Sequence, residues 1–490
     1  MFIRHGTNVY WRILLIIGAA TFVPLLVLCF YPQEYRLSDV LAFLLPSLFL
    51  LASGLLTAKF STQKTNTVGE YETSLQKGSL PVLFAWVIAI IAGALPFIIG
   101  GKLEIIHALF ESTSGWTTTG LSIFDDVEDL PHIYLFHRAF MQYCGGLGLI
   151  LMLIVFSHGK QTSLLFDAEG HSDNFTPSIK RTGRTIFAVY NFFLAAGTLL
   201  YVLFGMDFFD AICFGMSSIS TAGFTTKNEG IFYFDSIPIE LTTVGLMLIG
   251  ATSFAVLTLL ASFDLKKIIK VTETRFMFFV MLIFTPLIRL GSTDLSNFGK
   301  YISDSLFIVV STFSTTGYSL VDREISPFSY ILLLMLMLVG GSVGSTSGGI
   351  KMLRVYLLFR IAKENIRRKL VSPRRVLAVN YSKVDGVKNI DSNLISDTLG
   401  FIVTYFAILI TGTLAIILTE GCSASDGFYE FLSAFGNVGF SSGITNYYSN
   451  NLTLIIEMFG MVLGRLEIFI VFIGIYTLIN RKVFNGNRRV

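Results

Sequence analysis

The chain has 490 residues, 53% hydrophobic and only 14% charged, with a mean hydropathy of +0.68. That balance excludes a water-soluble globule and reads as an all-α polytopic membrane protein. The net charge of +3 says less than the placement of the charges, nucleic acid is not an expected partner, and Cys29, Cys144, Cys213 and Cys422 stand singly without the spacing of a disulfide or zinc framework.

In chain order, the first apolar run, Trp11 to Tyr31, is long enough to span and lacks a small-residue cleavage site. Further runs of roughly twenty apolar residues, the length that crosses the hydrocarbon layer, lie near 38–58, 81–100, 133–156, 185–204 and 238–262. The last four lie near 274–290, 329–350, 395–418 and 453–479, giving ten expected spans. Alternate connections are basic: Arg4 and Arg12; Lys59, Lys64 and Lys77; Lys160, Lys180, Arg181 and Arg184; Lys266, Lys267 and Lys270; Lys351 to Lys388; and Arg481, Lys482, Arg488 and Arg489. The others carry Glu104, Asp125, Asp126, Glu128, Asp129, Asp235, Asp322, Glu420 and Asp426 with little Lys or Arg. The basic side is expected to be cytoplasmic, with both termini on it.

Each of four outer connections carries about a dozen semi-apolar residues followed by a glycine pentapeptide, too short to cross but able to enter and return. The pentapeptides are Thr117-Thr118-Thr119-Gly120-Leu121, Ser220-Thr221-Ala222-Gly223-Phe224, Ser314-Thr315-Thr316-Gly317-Tyr318 and Gly436-Asn437-Val438-Gly439-Phe440. Aligned on glycine they reveal a repeat. Six residues upstream stand Ser114, Ser217, Ser311 and Ser433; thirteen upstream stand His107, Asp210, Asp304 and Asp426. Four upstream are Trp116, Ile219, Phe313 and Phe435, and two downstream are Ser122, Thr225, Ser319 and Ser441. The pattern predicts four pseudo-symmetric repeats of span, pore helix, filter loop and span around one pore. Their expected bounds are 81–158, 183–263, 274–362 and 395–482, with two extra N-terminal spans in 1–60, a cytoplasmic linker at 363–394 and a tail at 483–490.

The upstream acid is expected to cap a helix about ten residues long, which rises roughly 15 Å, half the bilayer. Its carboxyl end then points a partial negative charge at the middle of the membrane, where a cation is stabilised. The glycine frees the loop to aim backbone carbonyls at that cation. The serine column reads as small residues that let helices pack.

These loops resemble degenerate copies of the potassium-channel filter T-V-G-Y-G, and the fourfold two-span unit is similar to the Trk/Ktr/HKT superfamily of potassium transporters. The extra N-terminal spans and Gly464-Arg465-Leu466-Glu467-Ile468-Phe469 look like the bacterial TrkH/TrkG branch. The resemblance implies a potassium site on the backbone of Thr118, Thr119, Gly120, Thr221, Ala222, Gly223, Thr315, Thr316, Gly317, Asn437, Val438 and Gly439. It also implies the bacterial cytoplasmic membrane, a homodimer, and a cytosolic nucleotide-binding regulatory ring that carries the only nucleotide. No organic cofactor is expected on this chain. Asn437-Val438 breaks the symmetry and only Tyr318 keeps the channel's Tyr, so Rb+ and Na+ stand beside K+ as candidate cargo.

The third repeat's second span contains Gly340, Gly341, Ser342, Gly344, Ser345, Thr346, Ser347, Gly348, Gly349 and Lys351. So many glycines cannot hold a helix, at about 0.5–1 kcal/mol each relative to Ala. Two readings remain open: close packing of small residues, or a mobile loop that lines and gates the path. Arg465 stands in an apolar span, where insertion costs at least about 2.5–3.5 kcal/mol. It is expected to face the cavity below the filter as a barrier to cations, the alternative being a buried ion pair. Gly145-Gly146-Leu147-Gly148 and Gly250-Ala251-Thr252-Ser253 are expected to let both approach. The basic stretch Lys351 to Lys388 suits anionic lipid or a docking partner.

Three functions compete: channel-like potassium uptake, a potassium symporter coupled to H+ or Na+, and an integral-membrane enzyme. His107 and Glu111 share a helix face, but no HExxH, GxSxG or paired intramembrane aspartate accompanies them. An enzyme is therefore not expected.

Overall fold

The computed structural model describes residues 7–34, 36–60, 74–149, 151–152, 179–290, 298–318, 326–370 and 380–486. Lys64, Lys160, Ser319, Asp322, Arg374, Arg375, Arg488 and Arg489 lie outside the described residues. The helices are α1 Thr7–Phe22, α2 Leu37–Phe60, α3 Ser74–Ile99, α4 Ile105–Trp116, α5 His132–Leu147, α6 Ile179–Leu203, α7 Phe208–Ile219, α8 Ile237–Ala251 and α9 Phe254–Ala261. They continue as α10 Leu265–Ile268, α11 Thr272–Leu290, α12 Phe298–Phe313, α13 Pro327–Met337, α14 Met352–Leu370, α15 Ser392–Glu420, α16 Ala424–Gly436, α17 Asn451–Arg465 and α18 Ile468–Gly486. One hairpin, β1 Asn380–Lys383 and β2 Gly386–Asn389, pairs antiparallel between α14 and α15.

Each short helix before a glycine loop packs on the longer helix that precedes it: α4 on α3, α7 on α6, α12 on α11 and α16 on α15. Buried side chains form two large clusters. One joins α1, α2 and α3 to α4 and α5 through Ile13, Phe43, Trp86, Phe97, Phe110 and Trp116. The other joins the remaining loop-bearing helices through Phe214, Phe307, Phe313, Tyr318, Phe431 and Phe435. Around them lies a coat of exposed Leu, Ile and Phe, the surface that suits hydrocarbon.

The ten spans are not all continuous helices. Among the described residues, five are long and apolar enough to cross a membrane unbroken: Val9–Cys29, Leu37–Phe60, Gly78–Ile99, Arg181–Leu203 and Ser392–Glu420. The helix after each glycine loop instead breaks. α5 stops at Gly148, whose φ is 91°; α8 yields at Thr252 to α9, which Ser253 caps; and α13 ends before the glycine-rich segment. α17 and α18 meet at 105° around Glu467, whose φ is 56°. A break was expected only in the third repeat.

The expected caps also move. Asp207, not Asp210, caps α7 by accepting from Phe209 N, and Ser423, not Asp426, caps α16 by accepting from Asp426 N. Asp426 stands in the first turn and accepts from the Ser423 hydroxyl at 2.7 Å. Asp304 is buried inside α12.

Candidate functional site: a ring of four glycine loops

The loop after each short helix takes the same path. The amide just before each glycine turns back to the carbonyl of the upstream serine: Thr119 to Ser114 at 2.9 Å, Ala222 to Ser217 at 3.1 Å, Thr316 to Ser311 at 2.9 Å and Val438 to Ser433 at 2.9 Å. Two residues before the glycine the backbone is left-handed, with φ of 57° at Thr118, 51° at Thr221, 60° at Thr315 and 53° at Asn437. The glycines follow at 89°, 85°, 78° and 95°. A β-branched residue in that region costs about 1–3 kcal/mol, so three such threonines must be held there by their surroundings.

The loops close on one another in cyclic order. A Cβ added to Gly120 would strike the carbonyl oxygen of Ala222, one on Gly223 that of Thr316, one on Gly317 that of Val438, and one on Gly439 that of Thr119. Thr118, Thr119, Thr221, Ala222, Thr315, Thr316, Asn437 and Val438 are buried, whereas the four glycines keep partial exposure. The ring therefore surrounds a space bordered by glycine and carbonyl.

Side chains brace it from behind. Ser311 Oγ donates to Tyr318 O at 2.9 Å, and Ser433 Oγ accepts from Gly439 N at 3.1 Å, so these two serines do more than let helices pack. The Tyr318 hydroxyl lies 3.3 Å from Ser218 Oγ on the neighbouring α7. Asn437 Nδ2 donates to Thr119 Oγ1 and to Met461 O, both at 2.9 Å, tying the fourth loop to the first. Gln142 brackets Gly223, donating to Ala222 O at 2.8 Å and accepting from Phe224 N at 3.2 Å. The second wall is thus held differently from the others.

Against this ring lies the glycine-rich segment. Its neck is closed by a parallel bridge of Val339 and Ile350, with Gly340 N donating to Ile350 O at 2.9 Å and Met352 N to Gly341 O at 3.0 Å. Ser342 N and Thr346 N donate to Ala251 O and Gly250 O at 2.9 and 3.1 Å. Thr346 Oγ1 meets Thr221 Oγ1 at 2.9 Å, and Gly348 N donates to Thr315 Oγ1 at 2.9 Å, which ties the segment to the second and third loops. Gly344 and Gly349 are left-handed at 71° and 64°. Ser345 and Ser347 are buried, and a Cβ on Gly348 would strike Gly436 O.

Arg465 donates to Thr346 O, to Gly145 O at 2.6 Å and to Gly146 O at 3.2 Å. It therefore reaches across from α17 to both the segment and α5. Lys351 Nζ donates to Ser347 O, and Glu467 pairs with Arg354 on α14 at 2.7 Å. The glycines of the other broken helices sit on the ends of the short helices: Cβ atoms on Gly145, Gly250 and Gly464 would strike the carbonyls of Trp116, Ile219 and Phe435.

Sequence reasoning missed the outer brace of the ring. Glu111 pairs with Arg138 at 2.7 Å, both buried. Arg138 also donates to Ser122 Oγ at 2.9 Å and Thr225 O at 3.1 Å, with its guanidinium 4.1 Å from the Phe224 ring centre. In the fourth repeat the same two offsets hold Glu430 and Glu457, which share the Thr445 hydroxyl. An arginine eighteen residues after Gly120 in an apolar run was the available signal, because such a charge demands a partner. Farther out, the Asn228 amide on the Asp126 carboxylate, at 2.9 Å, holds that exposed carboxyl below its usual range.

Residues 48–482 match the TrkH family model, described as a cation transport protein. The chain belongs to the TrkH family. It is 30% identical over 475 residues to the Trk system potassium uptake protein TrkG of Escherichia coli, covering 92% of this chain and 93% of that one. It is 31% identical over 414 residues to TrkH of the same organism, covering 81% and 84%. The crystal structure of the potassium transporter TrkH from Vibrio parahaemolyticus superposes with a TM-score of 0.83 at 27% identity, covering 96% of this chain and 98% of that one. This TrkH-family member is a transport protein, not an enzyme, and Glu111, once weighed as a catalytic group beside His107, is occupied by Arg138.

Proposed function

We propose that this chain carries K+ into the cell across the bacterial cytoplasmic membrane through a channel-like filter formed by the four loops. The observation that carries the reading is the closed ring of Gly120, Gly223, Gly317 and Gly439, each against the next loop's carbonyl and each two residues after a left-handed Thr or Asn. Backbone carbonyls aimed at one axis replace an ion's hydration shell. The short helices end at the ring and add their negative ends. The names of the relatives supply potassium as the cargo.

The segment 338–351 is the gate in this reading, and Arg465 the barrier beside it. Both touch the loops or the carbonyls behind them, and three cationic side chains, Lys351, Arg354 and Arg465, gather there. The family's cytosolic nucleotide-binding ring and homodimeric assembly belong to the same proposal. Coupled symport is the second reading. Zero-current potentials of the reconstituted protein separate the two: a potential that does not move with pH, and moves with Na+ only as far as separately measured Na+ permeation accounts for, supports the channel, and a shift with pH supports proton coupling.

Rb+ flux into vesicles holding the purified chain tests the filter. Gly317→Ser places a side chain on the Val438 carbonyl in a backbone region costly for any L side chain. Flux is expected to fall about tenfold or more, or discrimination against Na+ to collapse, each tenfold corresponding to about 1.4 kcal/mol. Unchanged flux and selectivity would remove the filter assignment. Arg465→Ala is expected to raise flux, and an unchanged rate would remove the barrier.

A further inference from the structure

Glu273 is a buried carboxylate in the first turn of α11, where the helix dipole favours its negative charge. It accepts a hydrogen bond from Val343 N at 2.9 Å, inside the segment read above as the gate. Next to it in sequence, Thr272 Oγ1 accepts from Ser382 N of β1 at 2.8 Å. The hairpin is packed into the same place. Tyr381 is buried with Leu353 and Leu357 of α14, and Val343 packs on that cluster; Val384 packs on Val256, Ile268 and Val271. Two adjacent residues of α11 thus hold the segment on one side and the hairpin on the other.

We propose that Glu273 is the latch of the segment 338–351, and that the hairpin 380–389 is its handle through Thr272. The latch is a positioning residue: it fixes Val343, which sits one residue from Ser342 and three from Thr346, both hydrogen-bonded to the α8 end, with Thr346 also on the second loop. The backbone bonds that the segment makes to Gly250, Ala251 and Phe254 are between neutral groups, whereas a hydrogen bond to a charged acceptor is stronger than a neutral one, so the one from Val343 to a carboxylate adds a bias that the others do not supply. Pulling the hairpin away breaks the Ser382–Thr272 bond, tilts the start of α11 and withdraws the carboxylate from Val343. Motion outside the membrane then reaches the ring without passing through Arg465.

This rests on the gate reading, so the test includes a variant lacking residues 343–347 as the reference for an open path. In a background with the four cysteines replaced, Ser345→Cys reports on the segment by its rate of modification with a charged thiol reagent, read beside Rb+ flux in vesicles. Glu273→Ala is expected to raise both modification rate and flux by about tenfold, the scale of losing a charge-assisted bond. Glu273→Gln, which keeps an acceptor oxygen, is expected to raise them less, and Thr272→Val, which cuts the hairpin link, is expected to raise them as well. Wild-type rates in Glu273→Ala while the shortened variant leaks would overturn the latch and leave the gate. Wild-type flux in the shortened variant too would overturn the gate reading and the latch with it. Should Glu273→Ala not fold, wild-type rates in both Thr272→Val and Glu273→Gln overturn the proposal.

Discussion

Glu111 and Arg138 show how a single residue pair can hold the outer rim of the ring. Both are buried, and between them they tie α4, α5, Ser122 and Thr225 together. Desolvating two charges makes such a pair a weak net stabiliser, yet removing one partner strands the other. Arg138→Met is therefore expected to cost about 3–5 kcal/mol, read as a lowered midpoint of thermal unfolding in detergent, while the paired Glu111→Gln, Arg138→Met variant recovers part of that loss. A midpoint for Arg138→Met equal to wild type would mean that the pair holds nothing. At this scale the sequence was informative about backbone and poor about side chains. Gly120, Gly223, Gly317 and Gly439 were legible because only glycine suits the bend they make, and aligning them found the ring. Glu273 and Gln142 were not, because their partners are far away in the chain and no local periodicity marks them, and Arg138 signalled by its charge in an apolar run that it had a partner without saying which.

Among the elements, the helices that follow the glycine loops carry the least expected feature, a break in all four repeats. The third was legible from its glycines. The others were hidden because Gly148, Thr252-Ser253 and Leu466-Glu467 interrupt otherwise apolar runs by one or two residues, and hydropathy averages over such interruptions. Just before three of the breaks, Gly145, Gly250 and Gly464 let the helix touch the carbonyl end of its short helix, which side chains at those positions would prevent. Two glycines of α8 make a matched comparison. Gly250→Ala drives a methyl into Ile219 O, while at Gly245 nothing lies within 4 Å. Gly250→Ala is expected to lose about 1–3 kcal/mol through forced backbone shifts together with Rb+ flux, whereas Gly245→Ala is expected to be neutral or to gain up to about 1 kcal/mol from its better helix propensity. Equal unfolding midpoints for the two would show that α8 does not need its close approach to α7.

For the whole molecule, the order in which an ion meets ring, segment and charged cluster depends on which way the chain sits in the membrane. The glycine loops lie toward the acidic connections, with Asp126 and Glu128 beside Asn228. The segment 338–351 leads straight into α14, which carries Arg354, Arg360, Lys363, Arg367 and Lys369. By the rule that short basic connections stay on the cytoplasmic side, the acids are expected to face outward, where their field would raise the local cation concentration at the mouth of the ring. A cysteine at the exposed Asp129 position and one at the exposed Lys363 position, each in a cysteine-free background, decide the matter with a maleimide that cannot cross the membrane. Asp129→Cys is expected to label in intact cells and Lys363→Cys only in inside-out vesicles. The reverse pattern would place segment 338–351 on the outer side of the ring, so a cytosolic partner could no longer reach it through the hairpin 380–389, and the latch at Glu273 would lose its handle while the ring itself kept its chemistry.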